Sequence, residues 1–176
     1  MSKTYRVKLG AVTGESSDRR KVVCPKLVPE MGEILGEALT RRGWVVDAES
    51  KRATKRDGAV TASLDLDDPT LELRASLSEE VIGQSYEPND NDALGTAKAK
   101  ADAEAQRIVA TKRVKRAAES LIASREAGVR DDVLGAVKEA LVEALKRKAA
   151  TLGRVESVVQ GTDAQGRAVT TIKVEV

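Results

Sequence analysis

The chain of 176 residues contains no histidine and no phenylalanine, a single cysteine, and only Tyr5, Trp44 and Tyr86 as aromatic side chains. Imidazole is the group whose ordinary pKa lies nearest neutrality, so its absence removes the commonest general acid–base side chain. Ser–His and Cys–His nucleophilic pairs are excluded with it, as is any metal centre built on imidazole. Cys24 cannot close an intrachain disulfide, and without an activating base it reads as a small apolar side chain rather than a nucleophile. So few aromatics leave no platform for stacking bases or sugars. No apolar run approaches the roughly 20 residues needed to span a bilayer, and residues 1–8 lack the apolar stretch of a signal peptide. Together these absences lead us to expect a cytoplasmic protein that needs no cofactor, binds no metal and is not an enzyme.

What is present is globular in character. Hydrophobic residues make up 41% and charged residues 33% of the chain, and the core must be built from Val, Leu, Ile and Ala. Thirty basic residues against 28 acidic ones give a net charge of +2, too balanced to draw a polyanion by bulk electrostatics. A chain of this length forms one domain burying about 70% of its extended surface, and we expect residues 1–176 to do so.

Periodicity gives the elements. Tyr5, Val7 and Leu9 alternate with Arg6 and Lys8 as in a half-buried strand; residues 10–18 read as a loop, and 21–24 as a second short strand. Pro29 suits the start of a helix over 29–42, in which Met31, Ile34, Leu35, Ala38 and Leu39 recur at helical spacing. Gly43 ends that helix as a left-handed cap, and Trp44 begins a strand. Lys51, Arg52, Lys55 and Arg56 resemble a charged edge strand. The turn dipeptide Asp57-Gly58 introduces a hairpin in which Val60, Ala62, Leu64 and Leu66, then Leu71, Leu73, Ala75 and Leu77, alternate with polar residues.

Residues 83–92 read as a linker. An Ala-rich helix over 93–127, a break at Gly128 and a second helix from about 130 to 152 then form a helical hairpin. In the first helix Ala97, Ala101, Ala105 and Ile108 share one face, whereas Ala110, Val114, Ala117 and Leu121 share another. This rotating stripe predicts a kink or two successive partners. The C-terminal residues 153–176 form a hairpin expected to join the earlier sheet. The predicted class is α+β: a largely antiparallel sheet (1–82 and 153–176) with a short helix and an inserted helical hairpin over 93–152.

No motif carries chemistry. Asp90, Asn91, Asp92 and Gly95 begin like a calcium loop, but Leu94 and Ala101 stand where ligands belong. No phosphate-binding Gly-x-Gly-x-x-Gly or Gly-Lys-Ser/Thr occurs. Asp65, Asp67, Asp68 and Glu72 are the one acidic set able to gather on a strand face, and acidic turns are their simpler reading. Two surface candidates remain. The apolar positions Ile108, Val109, Val114 and Leu121 suit contact with a protein partner, and the basic run Lys112, Arg113, Lys115 and Arg116 is the alternative, a set of phosphate contacts for nucleic acid.

The run Leu35-x-x-Ala38-Leu39-x-x-x-Gly43-Trp44-x-Val46, with Leu152-Gly153-x-Val155 and Asp163-x-x-Gly166 near the end, resembles the hypothetical chloroplast frame thirty-five family. The resemblance covers about 30–47 and 140–176, and the helical insertion between them lies outside its pattern. Related small domains are similar to accessory components of bacterial systems built around AAA+ ATPases, FtsH-like ones among them. The resemblance implies a non-enzymatic adaptor whose partner is a protein, a AAA+ ATPase or a second copy, with no catalytic residue to carry over.

Overall fold

A computed structural model describes residues 3–87 and 92–175. In chain order the elements are β1 (Lys3–Lys21), α1 (Met31–Arg41), β2 (Val45–Asp47), β3 (Arg52–Asp57), β4 (Val60–Asp65), β5 (Thr70–Glu87), α2 (Asp92–Ala150), β6 (Arg154–Thr162) and β7 (Ala168–Glu175). The first five strands form one antiparallel sheet in the order β1-β5-β4-β3-β2, so the α+β class holds. The described residues fall into two compact units: 1–18, 56–61 and 73–126, and 19–55, 62–72 and 127–176.

Several expectations are corrected. Residues 10–18 are not a loop, because β1 runs unbroken from Lys3 to Lys21. The charged strand β3 is not at an edge; the short β2 pairs beside it, with Val46 opposite Ala53. Residues 83–87 belong to β5, and the rest of the predicted linker, 88–91, lies outside the described residues together with Asp90 and Asn91 of the calcium-like run. The C-terminal hairpin does not join the sheet: β6 and β7 pair only with each other, Val158 opposite Ile172 and Thr162 opposite Ala168. Its turn is closed by Asp163, which accepts hydrogen bonds from the backbone N–H groups of Gln165 and Arg167 at 3.0 and 2.8 Å.

The largest correction concerns the helical hairpin. Residues 92–150 form one helix of 59 residues, not two. Gly128 lacks the positive φ that a left-handed cap requires, and nothing near it forces the chain to turn. The buried positions Ala118, Ile122, Val133, Ala136, Val137, Ala140 and Ala144 keep helical spacing on both sides of it. One exposed Gly in a helix interior costs about 1 kcal/mol, too little to outweigh such a stripe.

In the first unit the helix buries a face composed mostly of alanine. Ala99, Ala103, Ala110, Val114, Ala118 and Ile122 are buried, at the spacing of one helix face. A Cβ on Gly14 of β1 would lie 2.6 Å from the Lys115 nitrogen, and one on Gly83 of β5 would lie 2.5 Å from the Ala103 Cβ and overlap the Ala99 carbonyl oxygen. Glycine on the strands and alanine on the helix thus let two backbones approach where larger side chains would collide. Val12, Val81 and Ala110 fill the adjoining space as one cluster.

Of the predicted rotating stripe, Ala110 and Val114 are buried and Leu121 is half-buried, whereas the first set, from Ala97 to Ile108, faces solvent. Ala97, Ala101, Ala105 and Ala117 are exposed. The strand glycines fix the close approach of this face, with Gly83 against Ala99 and Ala103 and Gly14 against Val114.

In the second unit α1 buries Met31, Ile34, Leu35, Ala38 and Leu39 with Trp44, Ala53, Ala62, Leu64, Val133 and Val137. Its C-terminus closes as a Schellman turn: the Trp44 N–H donates to the Leu39 carbonyl at 3.1 Å and the Gly43 N–H to the Thr40 carbonyl at 3.0 Å, with Gly43 at φ +80. The predicted cap is therefore present. In β4, Val60, Ala62 and Leu64 are buried while Thr61, Ser63 and Asp65 are half-buried, the expected alternation.

Gly128→Ala separates a continuous helix from a turn. A Cβ at Gly128 meets nothing within 4 Å, so the substitution is expected to stabilise the protein by about 0.5–1 kcal/mol, measured by thermal or urea unfolding. A lower melting temperature would mean that the chain bends there.

Candidate functional site

The packing of α2 fixes what it shows to solvent. With Ala110 and Val114 turned inward, positions 108, 109, 112, 115 and 116 fall within an arc of about 120° on the opposite side, at 100° per residue. Ile108 and Val109 are 64% and 63% exposed, and Lys112, Lys115 and Arg116 are exposed beside them. The result is an apolar pair framed by cations one and two turns further on. Glu119 is exposed within the same arc, one turn beyond Lys115 and Arg116. Beside this face a groove of about 390 Å³ runs between α2 and β5, lined in part by Val81, Ala105, Gln106 and Val109.

Of the apolar positions read as partner-binding, Ile108 and Val109 form this surface. Leu121 is half-buried, and Val114, at 4% exposure, is a core residue pressed against Gly14. The basic run divides likewise. Arg113 turns to β5 and donates to both carboxylate oxygens of Glu79, its Nε at 3.0 Å from Oε2. Lys112, Lys115 and Arg116 make no ion pair among the described residues. Sequence spacing treats these four cations as equivalent; only the orientation of α2 separates the one held by Glu79 from the three that are not.

A second cluster escaped the sequence reading. Asp132, on the C-terminal part of α2, accepts hydrogen bonds from Trp44 Nε1 at 3.3 Å and Lys55 Nζ at 2.5 Å, and lies 3.6 Å from the Arg42 guanidinium. Arg42 also donates to Glu139 at 2.6 Å, its guanidinium lying flat over Gly135, where any Cβ would come within 2.7 Å. Lys55 completes the set by donating to the Arg42 carbonyl at 3.0 Å. Partial burial opposes ionisation of Asp132, but the hydrogen bonds from Lys55 and Trp44 and the charges of Lys55 and Arg42 prevail and hold its carboxyl below the usual carboxylate range. The cluster ties α1, β2, β3 and α2 together within this unit. All its charged members are matched in salt bridges, which is an anchoring arrangement rather than a reactive one.

The remaining candidates do not assemble. Among the described residues no group of three His, Cys, Asp or Glu side chains is placed to hold a metal ion. Asp65 accepts from the backbone N–H groups of Asp67 and Asp68 at 2.9 and 3.0 Å. Asp67 pairs with Lys51 and Asp68 with Lys21, while the buried Glu72 pairs with Arg19. Burial pushes the Cys24 thiol up from its ordinary value, away from thiolate character. Among the described residues no helix is long and apolar enough to cross a membrane.

The depressed Asp132 carboxyl carries a sign. A group whose folded pKa lies below its unfolded one stabilises the fold above the unfolded value and loses that contribution as pH falls through the folded one. Asp132→Asn is expected to cost about 1–3 kcal/mol at neutral pH, and the gap from wild type should close as the solution is acidified below the ordinary carboxylate range. Chemical denaturation at a series of pH values reads this. A gap independent of pH would assign the cost to packing instead.

No curated protein and no solved structure matches this chain. A family model does, along residues 1–176. That match falls on the second of the two resemblances read from the sequence. The chain belongs to the FtsH ternary system domain X5 family.

Proposed function

We propose that this domain is a non-enzymatic adaptor of its FtsH ternary system, working in the bacterial cytoplasm through protein contacts of the outward α2 face. The partner is another member of that system, the AAA+ ATPase or a second copy. The observation that carries the reading is the pair Ile108 and Val109, 64% and 63% exposed in the middle of a long helix. β-branched residues gain nothing there from helix propensity, and their burial on docking would contribute about 1.5–3 kcal/mol each. A helix that already buries an apolar face, and leaves Ile108 and Val109 adjacent on the opposite one, has apolar surface to offer to something outside itself.

The alternative, nucleic acid on the basic run, is supported by the lack of ion pairs at Lys112, Lys115 and Arg116. It is weakened by the engagement of Arg113 with Glu79 and by Glu119 within the same arc, which a polyphosphate would meet as a like charge. Oligonucleotide titration at rising salt, with and without Glu at those three positions, reads it directly.

Ile108→Glu with Val109→Glu is expected to abolish co-purification with the other components of the system after co-expression, a loss of roughly tenfold or more. Circular dichroism and melting temperature should stay near wild type, because both side chains face solvent. Undiminished co-purification of a folded double variant would overturn the proposal.

A further inference from the structure

The second unit carries a concavity whose charge is the reverse of the α2 face. Along α1, Gly32, Gly36 and Thr40 follow one another at four-residue spacing, which places them on one side of the helix. A Cβ on Gly36 would stand 3.4 Å from the Leu66 side chain and 3.5 Å from that of Val46. The missing side chains leave a groove of about 390 Å³ beside the helix. Its floor is apolar, of Gly36, Val46, Ala48 and Leu66, and its rim is acidic, of Glu30, Glu33, Glu37 and Asp67 with Lys51 as the one cation. Lys51 is held by Asp67 at 2.8 Å. Glu37 has only a distant, exposed contact with Arg147 at 3.9 Å, and Glu30 and Glu33 make no ion pair among the described residues. On a chain of net charge +2 this is a local excess of negative charge around an apolar trough.

The α2 face is its complement in both respects: an apolar pair, Ile108 and Val109, flanked by the unpaired cations Lys112, Lys115 and Arg116. We propose that the α1 groove takes the α2 face of a second copy of this chain. The apolar pair lies over Gly36, Val46 and Leu66, and the three cations reach the carboxylates of Glu30, Glu33 and Glu37. This inference rests on the reading of the α2 face as a contact surface and names what occupies it. Because the two surfaces differ, the contact is heterologous: each copy offers one face and one groove, so association runs head to tail and either closes into a ring or extends. Charged rims of this kind accelerate encounter and fix register, and they weaken as salt rises.

Charge reversal isolates the contact. Glu33→Lys with Glu37→Lys leaves a protein with a basic face and a spoiled groove. Lys112→Glu with Lys115→Glu and Arg116→Glu leaves an acidic groove and a spoiled face. Sedimentation or light scattering of the wild type should show a mass that rises with concentration and falls with salt. Each variant alone should remain monomeric, its association weakened roughly tenfold or more. An equal mixture should recover association as alternating copies, since the basic face of one variant meets the acidic groove of the other and the reversed face meets the reversed groove. A wild type that stays monomeric at high micromolar concentration would overturn the inference, as would variants that associate like the wild type or a mixture that does not associate. Loss of co-purification in the Ile108 and Val109 double variant, alongside such a monomeric wild type, would refute self-association while leaving the contact role of α2 in place.

Discussion

The close approach of α2 to β1 and β5 is the constraint from which the candidate site follows. Gly14 and Gly83 leave no room for a Cβ, and the helix answers with Ala99, Ala103 and the backbone at Val114 and Lys115. A helix of this composition would ordinarily turn its largest apolar residues inward. Here the strand glycines set how closely the helix approaches, and Ala99, Ala103, Ala110, Val114, Ala118 and Ile122 form the face that packs. Ile108 and Val109 are left outside as a consequence, with Lys112, Lys115 and Arg116 around them. The solvent face of this stretch of α2 is thus the reverse of its packing face.

A different kind of interaction holds the C-terminal part of the helix in its own unit. Apolar burial there, through Val133, Ala136, Val137, Ala140 and Ala144, is reinforced by Asp132 and Glu139, which bind Trp44, Lys55 and Arg42. Ion pairs of this sort contribute modestly when exposed and cost more to break than they supply when part-buried. Their value here is positional, because they define how α1 and the strand following its Gly43 cap meet α2. The groove beside α1 depends on that placement, since its floor is shared between α1, β2 and the segment after β4.

Much of this was legible in the residues. The alternation of Val60, Ala62 and Leu64, the helical spacing of Met31 to Leu39 and the Gly43 cap are local signals, and each element formed where its signal lay. Readings failed where the deciding contact is distant in sequence. Gly128 resembles a helix end until the stripe on either side is seen to stay in phase. The 10–18 stretch reads as a loop on composition, yet Gly14 is demanded by a helix a hundred residues away. Of the surface residues singled out, Ile108 and Val109 are exposed together, whereas Val114 is core, because period alone cannot tell which of two neighbouring faces a glycine-lined sheet will accept. The Asp132 cluster joins residues from three separate segments and has no signature in any one of them. The α1 groove did leave a trace, the Gly32, Gly36 and Thr40 spacing, recognisable once small residues are read as space rather than as weak helix formers.

The chain belongs to the FtsH ternary system domain X5 family, and the reading of its surfaces starts from the helix that carries them. The account rests on which side of α2 faces solvent. Thiol labelling tests that most directly, using single cysteines introduced one at a time from 108 to 118 in a Cys24→Ser background. The account predicts fast modification at 108, 109, 112, 115 and 116 and strong protection at 110, 114 and 118, repeating with the helical period. Equal labelling of 108 and 114, or protection centred on 108 and 112, would contradict it.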